Sequence, residues 1–126
     1  MNQTCVQAVF DREPRVELAV LIGSRCRGTA TEDSDWDFAI LWSPEMSFEE
    51  VLAATERLRA QLAETLGTGV DRIDLIDLAS ARLAIRAVVA EEGRLLKGDG
   101  SLAWSHFLLR TWRELEDWTR ESTHAA

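Results

Sequence analysis

Residues 16–42 read VELAVLIGSRCRGTATEDSDWDFAILW. An apolar segment rich in β-branched or aromatic residues lies at each end of this stretch, and a polar loop with two glycines joins them. In the second segment Trp36 and Phe38 alternate with two aspartates, so the apolar and acidic side chains point to opposite faces of an extended chain. The stretch therefore predicts two consecutive strands, the second of which carries Asp35 and Asp37 on one face.

Helical and strand patterns alternate along the rest of the chain. Ser47 and Glu50 have the spacing of a capping box, and the helix that starts there is expected to end at Gly67. In chain order the predicted elements are a helix at 4–12, strands at 16–22 and 36–41, the capped helix, a strand at 72–78, a helix at 81–92, a strand at 94–97 and a helix at 101–120. We therefore expect an α/β (α+β) fold of two layers, with a mixed sheet of about four strands and the helices packed on one face.

Strand alternation also places a third aspartate beside the pair. In the third predicted strand, Asp74 lies on the face opposite to the large apolar residues, whereas Asp71 and Asp77 share the parity of those residues. If the helices cover the apolar faces of both strands, Asp35, Asp37 and Asp74 lie together on the uncovered face. The sequence thus predicts a cluster of three carboxylates, and it selects Asp74 for the third position.

Three neighbouring carboxylates need a cation. Their mutual repulsion raises the pKa of each group unless a positive charge intervenes, and hard oxygen ligands favour Mg²⁺ or Mn²⁺. The Cα atoms of Asp35 and Asp37 lie roughly 7 Å apart along a strand, so their carboxylates can share one ion or bridge two. Two such ions stabilise the attacking and the leaving oxygen in nucleotidyl transfer. We expect Asp35, Asp37 and Asp74 to be metal ligands and catalytic residues, with two Mg²⁺ ions at the site.

The loop after the first strand is a candidate phosphate site. Gly23 and Ser24 start a turn into a short helix, where backbone N–H groups can receive phosphate oxygens and the serine hydroxyl can donate to them. Arg25 and Arg27 can neutralise phosphate charge, although an arginine on an acidic protein commonly forms only weak surface ion pairs. We expect Gly23, Ser24, Arg25 and Arg27 to bind the phosphates of a nucleotide.

This pattern resembles the signature of a known superfamily. A glycine–serine pair followed after ten residues by Asp-x-Asp, here Gly23-Ser24 and Asp35-Trp36-Asp37, is similar to the signature of the DNA polymerase β-like nucleotidyltransferases. Within that superfamily the chain resembles the minimal nucleotidyltransferases, whose motif reads Gly-Ser-x-Ala-Arg-Gly and then Ser-Asp-x-Asp before an apolar strand. The resemblance covers about residues 15–97 and includes the strand of Asp74.

The resemblance implies a nucleotidyltransferase fold and a triphosphate bound through Mg²⁺. It implies that Asp35 and Asp37 are metal ligands and that Asp74 is a further ligand and the activator of the acceptor hydroxyl. It also implies a partner, because many minimal nucleotidyltransferases are antitoxins encoded beside a HEPN-domain ribonuclease toxin, which they neutralise by transferring AMP from ATP to a toxin tyrosine. The chain has no tyrosine, which excludes self-modification at that residue type.

Two other functions remain open from the sequence. The first is a non-catalytic antitoxin that neutralises its partner by steric block and keeps the nucleotidyltransferase fold as a scaffold. The second is transfer to a small molecule such as an aminoglycoside, which uses the same motif. Enzymes of that second kind usually carry an added substrate domain, for which this chain has no room.

The last predicted helix carries an aromatic stripe. Its apolar residues are Trp104, Phe107, Leu108, Trp112, Leu115 and Trp118. Core packing is one interpretation of this stripe. A partner-binding face is the other, because tryptophan is enriched at interface hot spots and a domain of this size has a limited core.

The charge balance excludes one class of partner. The 126 residues have a formal net charge of −8, and Lys97 is the only lysine, whereas proteins that grip long nucleic acids do so through clustered Lys and Arg. No apolar run approaches the roughly 20 residues of a membrane span, and the N-terminus does not resemble a leader. We therefore expect a single cytoplasmic nucleotidyltransferase domain, 1–126, without membrane association or extended nucleic-acid binding.

Overall fold

A four-stranded sheet lies at the centre of the fold. The computed structural model describes residues 3–124. Its elements are α1 (Gln3–Asp11), β1 (Val16–Ile22), α2 (Ser24–Arg27), β2 (Trp36–Trp42), α3 (Phe48–Leu66), a 3-10 turn (Val70–Arg72), β3 (Ile73–Asp77), α4 (Leu83–Glu92), β4 (Arg94–Lys97) and α5 (Leu102–His124). Each helix and strand predicted from the sequence is present, and the bounds differ by four residues at most.

The sheet is mixed, as predicted, and its strand order is β3-β2-β1-β4. β1 pairs antiparallel with both β2 and β4, while β3 runs parallel to β2. The parallel register sets Asp37 directly beside Asp74. Because β1 and β2 are antiparallel, the loop that leaves β1 at Gly23 lies at the same end of the sheet as the start of β2 and β3.

α1 and α3 cover one face of this sheet. Phe10 of α1 and Leu58 and Leu62 of α3 are buried against apolar side chains of β1 and β2. The ring of Phe10 meets the ring of Phe38 edge-on, with centroids 5.6 Å apart. This is the layer that the alternation in β2 predicts, because Trp36, Phe38, Ile40 and Trp42 of that strand all belong to it.

The predicted α/β (α+β) fold with a mixed sheet of four strands is confirmed, but the helices cover both faces of the sheet and not one. Leu18, Val20 and Ile22 of β1 point away from the first layer and pack with Val89 of α4 and Phe107 of α5. Six of the seven residues of β1 are buried, since a strand covered on both faces carries apolar residues at consecutive rather than alternate positions. That consecutive run in the sequence is the signal for the second helical layer.

The helices leave one end of this second face open. Ala39 is fully buried in the second layer, whereas Asp37 is half-buried and Asp74 is exposed. The two aspartates therefore share a face, as strand parity predicts. The open region is an end of that face, and not the whole of it.

A predicted cap and the single lysine fix two of the helices. The Ser47 hydroxyl accepts a hydrogen bond from the Glu50 backbone N–H, and the Glu50 carboxylate accepts one from the Ser47 N–H, which confirms the capping box of α3. Gly67 ends α3 in a left-handed conformation with φ 68°. Lys97 donates to the carbonyl oxygen of Phe10 at 3.1 Å and so ties β4 to the end of α1.

The aromatic stripe of α5 divides into two halves. Phe107 is buried and Trp104 is half-buried, whereas Trp112 is 39% and Trp118 is 60% exposed. Core packing therefore describes the first half of the stripe only, and the second half remains available to a partner. Neither α5 nor another helix within residues 3–124 is both long and apolar enough to cross a membrane.

Replacement of Phe107 by alanine tests the second helical layer. Because the ring is 9% exposed and packs in that layer, its loss should lower the free energy of unfolding by about 3–5 kcal/mol. Leu109→Ala is the matched control on the same helix. Its side chain is 58% exposed, so the change should be below about 0.5 kcal/mol. Urea unfolding measures both variants, and an equally small effect of the two would contradict a packed second layer.

Candidate active site

The candidate site is built on the pairing of β2 with β3. Asp37 and Asp74 occupy directly opposed positions of this parallel pair. Neighbouring strands lie about 4.8 Å apart, so two side chains on the same face at such positions share one small volume. The backbone thus enforces the proximity of two like charges.

The environment of Asp37 disfavours its charged form. Burial raises the pKa of Asp37 above its ordinary value, and the negative charges of Asp74 and Asp35 raise it further. The positive charge of Arg27 acts in the opposite direction. The carboxylate form of Asp37 is therefore unfavourable without a cation. A divalent cation that neutralised the charges of its neighbours would favour this form, which is the form that binds metal.

Gly23 presses against this pair from the end of β1. Its backbone has φ 77° and ψ −163°, a conformation that is open almost to glycine alone. A Cβ atom at this position would overlap Oδ2 of Asp37 and lie 3.3 Å from its Cγ. The loop backbone therefore approaches the carboxylate more closely than any larger residue would permit. Ser24 follows as the first residue of α2 and is half-buried.

Asp35 lies just before β2 and is paired with a cation of the protein. Its Oδ1 atom is 3.8 Å from Nη1 of Arg72, and Arg72 also donates to the carbonyl oxygen of Asp33. Asp35 is close enough to Asp37 for its charge to act there. The structure therefore brings the three predicted aspartates to one end of the sheet, with Asp35 drawn toward an arginine.

The three aspartates are ligands of the type that Mg²⁺ prefers, but their side chains are not arranged around a metal position. Within the described part of the chain, no three His, Cys, Asp or Glu side chains are arranged to hold a metal ion. Asp37 and Asp74 are opposed, and Oδ1 of Asp35 lies 3.8 Å from Nη1 of Arg72. The donors are all carboxylate oxygens, which Mg²⁺ prefers. The raised pKa of Asp37, caused by burial and then by its acidic neighbours, reflects a repulsion that a cation would relieve.

The two arginines predicted to bind phosphate differ in their surroundings. Arg27 is exposed and close enough to Asp37 for its charge to act there. Arg25 lies over the ring of Trp36, with Cζ 4.4 Å from the ring centroid, and donates to the carbonyl oxygen of Ser34 at 2.9 Å. The structure thus brings Arg27 to the carboxylates and engages Arg25 with the loop before β2. Phosphate binding by Arg25 stays a prediction.

Two arginines near the site were missed by sequence reasoning. Arg72 immediately precedes the strand of Asp74, and a cation next to a predicted carboxylate cluster was the available signal. Arg59 of α3 donates to the carbonyl oxygen of Ile73, the residue before Asp74, and so holds the edge strand in place. No sequence signal indicates this contact, because it depends on how α3 packs against β3.

Comparison with known proteins identifies the family. Residues 5–100 match the family model described as polymerase beta, nucleotidyltransferase. The chain belongs to this family. The matched region contains all the elements that build the nucleotidyltransferase site and stops before α5 begins.

Two curated relatives and one solved structure resemble this nucleotidyltransferase. The chain is 31% identical over 86 residues to protein adenylyltransferase MntA of Aphanizomenon flos-aquae, a match that covers 66% of this chain and 57% of that protein. It is 30% identical over 94 residues to protein adenylyltransferase MntA of Shewanella oneidensis, covering 74% of this chain and 62% of that protein. It is also similar to a chain in a crystal structure of a toxin–antitoxin with AMP-PNP, with a TM-score of 0.74 at 25% identity.

The extent of these matches differs between sequence and structure. The matched part spans only 57% and 62% of the length of the two curated relatives. The structural match covers 99% of this chain and 95% of the compared chain. The similarity in fold therefore includes α5, which lies outside the family match of this nucleotidyltransferase.

Asp37→Asn tests the repulsion at the nucleotidyltransferase site. Because the pKa of Asp37 is raised in the folded state, its charged form costs stability above that pKa, and the cost disappears as the pH falls below the ordinary value of 3.8. Without metal, the variant should have a higher free energy of unfolding than the wild type at pH 7. This difference should vanish by about pH 3. Urea unfolding at the two pH values measures it.

Asp71→Asn is the control for the loss of one negative charge. Asp71 is exposed on the turn before β3, so its replacement should leave the free energy of unfolding within about 0.5 kcal/mol of the wild type at both pH values. An Asp37→Asn variant that is no more stable than the wild type at pH 7 would refute the cost that burial and the acidic neighbours impose on the charged form of Asp37.

Proposed function

We propose that this chain is a Mg²⁺-dependent nucleotidyltransferase that transfers AMP from ATP to a hydroxyl group of a partner protein. The observation that carries the proposal is the direct pairing of Asp37 with Asp74 against the bare backbone of Gly23. Two findings support it. Both curated relatives are named protein adenylyltransferases, and the similar toxin–antitoxin structure contains AMP-PNP, an analogue of ATP.

Asp35, Asp37 and Asp74 are the proposed ligands of Mg²⁺. Their oxygens suit two Mg²⁺ ions, and Mn²⁺ fits the same donors. When bound, the metal supplies positive charge that stabilises the phosphates and the departing pyrophosphate. Because the ligand form of Asp37 is the carboxylate, metal affinity should weaken as the pH falls toward its raised pKa.

Gly23 and Ser24 are the proposed phosphate ligands. The first N–H groups of a helix have no partner within that helix and can donate to phosphate oxygens. The absence of a side chain at Gly23 lets phosphates and carboxylates share one narrow space. Arg27 is the proposed residue for neutralising phosphate charge, because it is exposed and its charge acts on Asp37.

The exposed carboxylate of Asp74 has a separate proposed role in the reaction. In the proposed reaction the acceptor hydroxyl oxygen attacks the α-phosphorus of ATP. The new O–P bond forms as the bond between the α-phosphorus and the bridging oxygen breaks, and pyrophosphate leaves. Asp74 is exposed on the edge strand β3, where an acceptor can approach from outside, and we propose that it takes the hydroxyl proton.

The proposed acceptor is a tyrosine of a HEPN-domain toxin, the partner that the sequence resemblance implies. The chain itself has no tyrosine, so a tyrosine acceptor has to come from another protein. A toxin–antitoxin is also the assembly in the similar crystal structure. In this proposal the chain is the antitoxin, and covalent modification of the toxin neutralises it.

Transfer can be followed by the intact mass of the toxin. The chain incubated with the product of the neighbouring toxin gene, ATP and Mg²⁺ should add the mass of AMP to the toxin. Asp35→Ala and Asp74→Ala should each lower the rate by about 100-fold or more, because they remove a metal ligand or the proton acceptor. Failure of the wild type to form an adduct under conditions that permit complex formation would overturn the proposal.

Two glycines of the same loop provide a matched pair for this assay. Gly23→Ala should abolish transfer, since the new Cβ would collide with Asp37. Gly28→Ala also introduces a side chain at positive φ, 78°, but meets nothing within 4 Å. It should cost some stability and retain transfer. Loss of transfer in both variants would show that loop strain, and not the contact with Asp37, is responsible.

A second candidate function, steric neutralisation without transfer, is favoured by the exposed half of the α5 stripe. Trp112 and Trp118 line two shallow grooves that meet at Leu115, where α5 lies against α4. Partly exposed tryptophans of this kind are frequent anchors of protein interfaces. We propose that this surface binds the toxin, in a catalytic or a purely steric antitoxin.

The double variant Trp112→Ala, Trp118→Ala tests this surface. It should weaken the complex with the toxin by roughly 30-fold or more, as expected for hot-spot residues, without a matching loss of stability. Leu102→Ala, at the start of α5 and 76% exposed, is the control for removal of an exposed apolar side chain. Affinity is measured by titration calorimetry. Full toxin neutralisation by an Asp37→Ala variant would identify the steric function as sufficient.

A further inference from the structure

The loop between α2 and β2 is held from two sides by arginines. Three consecutive carbonyl groups, those of residues 32–34, accept hydrogen bonds from guanidinium groups. Arg25 of α2 donates from Nη2 to Ser34 at 2.9 Å and to Glu32 at 3.4 Å. Arg72 donates from Nη1 to Asp33. Two residues 47 positions apart in the sequence therefore close on one short segment of backbone.

Each arginine is anchored at its other side. The Arg25 guanidinium lies on the ring of Trp36, the first residue of β2, with Cζ 4.4 Å from the centroid. Trp36 itself is 9% exposed and packs in the first core layer. Arg72 ends the turn that leads into β3, and its Nη1 lies 3.8 Å from Oδ1 of Asp35. Arg25 thus connects α2 and Trp36 of β2 with the loop, and Arg72 connects the turn before β3 with it.

The held segment ends at the aspartate that the site needs. Residues 31–33 are exposed, and within the loop the Thr31 N–H donates to the Ser34 hydroxyl at 2.9 Å while the Ser34 N–H donates to the Thr31 carbonyl at 3.1 Å. This turn orders the loop internally. Its orientation relative to β2 and β3 comes from the two arginines, and Asp35 follows directly after the held carbonyls.

We propose that Arg25 and Arg72 are positioning residues that clasp the backbone of residues 32–34 and thereby hold Asp35 at the metal site. This inference rests on the proposed metal role of Asp35. It assigns Arg25 to the loop and leaves Arg27 as the arginine for phosphate. The clasp compensates for the position of Asp35 outside the strand, where no β-ladder orients it.

Replacing either arginine should have opposite effects on metal binding, depending on whether the arginine acts through its positive charge or through its contacts with the loop. Removal of a positive charge beside a cation site strengthens cation binding if electrostatics alone acts. Loss of a group that orients a metal ligand weakens binding, commonly by 10-fold or more. The sign of the change in affinity therefore separates the two explanations, and it can be read without nucleotide or toxin.

The experiment measures Mn²⁺ binding to the whole chain by electron paramagnetic resonance, together with hydrogen exchange across residues 29–36 in metal-free protein. Arg25→Gln and Arg72→Gln should each weaken Mn²⁺ binding by about tenfold and accelerate exchange in this segment. Arg57→Gln, an exposed arginine of α3, is the matched charge control and should change neither. Arg25→Lys should behave like Arg25→Gln, because lysine is shorter and has no planar group to lie on Trp36.

The outcomes separate this inference from the proposed function. Wild-type protein that binds Mn²⁺, with Gln variants that bind it equally or more tightly, would overturn the clasp alone. Unchanged exchange in the Gln variants would overturn it as well, as would wild-type affinity in Arg25→Lys. Wild-type protein that binds no Mn²⁺ would overturn the metal site of the proposed function and the role of the clasp in it.

Discussion

The candidate site depends on one constraint, the opposition of Asp37 and Asp74 across two parallel strands. The register of the two strands fixes the Cα atoms of these aspartates side by side, so the two carboxylates stay close enough to repel each other. Burial adds to this cost at Asp37, where it is the largest cause of the raised pKa. In the proposed function, a bound cation would offset this repulsion in the working state.

The arginines around the three aspartates carry the same charge but make different contacts. Arg27 faces solvent near Asp37, Arg25 lies flat on an indole ring, and Arg72 joins a turn to a loop. A guanidinium group offers several donors in one plane and can serve backbone carbonyls as readily as phosphate. A few arginine side chains can therefore position the groups of the site in a chain with a net charge of −8.

Much of the fold and of the candidate site could be predicted from short-range patterns. The alternation around Trp36 and Phe38, and the capping box at Ser47, are local signals, and the structure confirms both. Helices were predicted on one face of the sheet because that prediction relied on β2, whose two faces differ. The helices on the other face are indicated by β1, which is apolar on both faces. The sequence signals that Arg72 lies next to the strand of Asp74, but the contacts of Arg25, Arg59 and Arg72 depend on elements that meet only in the folded chain.

α5 has 23 residues and so spans about 34 Å. Phe107 of its aromatic stripe is buried, whereas Trp112 and Trp118 are exposed. Because a helix turns by about 100° per residue, the position of each exposed tryptophan along α5 fixes the direction in which it points relative to the sheet. A single residue inserted between Phe107 and Trp112 would rotate the two tryptophans of the proposed toxin-binding surface to another side without changing a proposed catalytic carboxylate. These tryptophans lie beyond residue 100, where the family match ends, and the three aspartates lie within it.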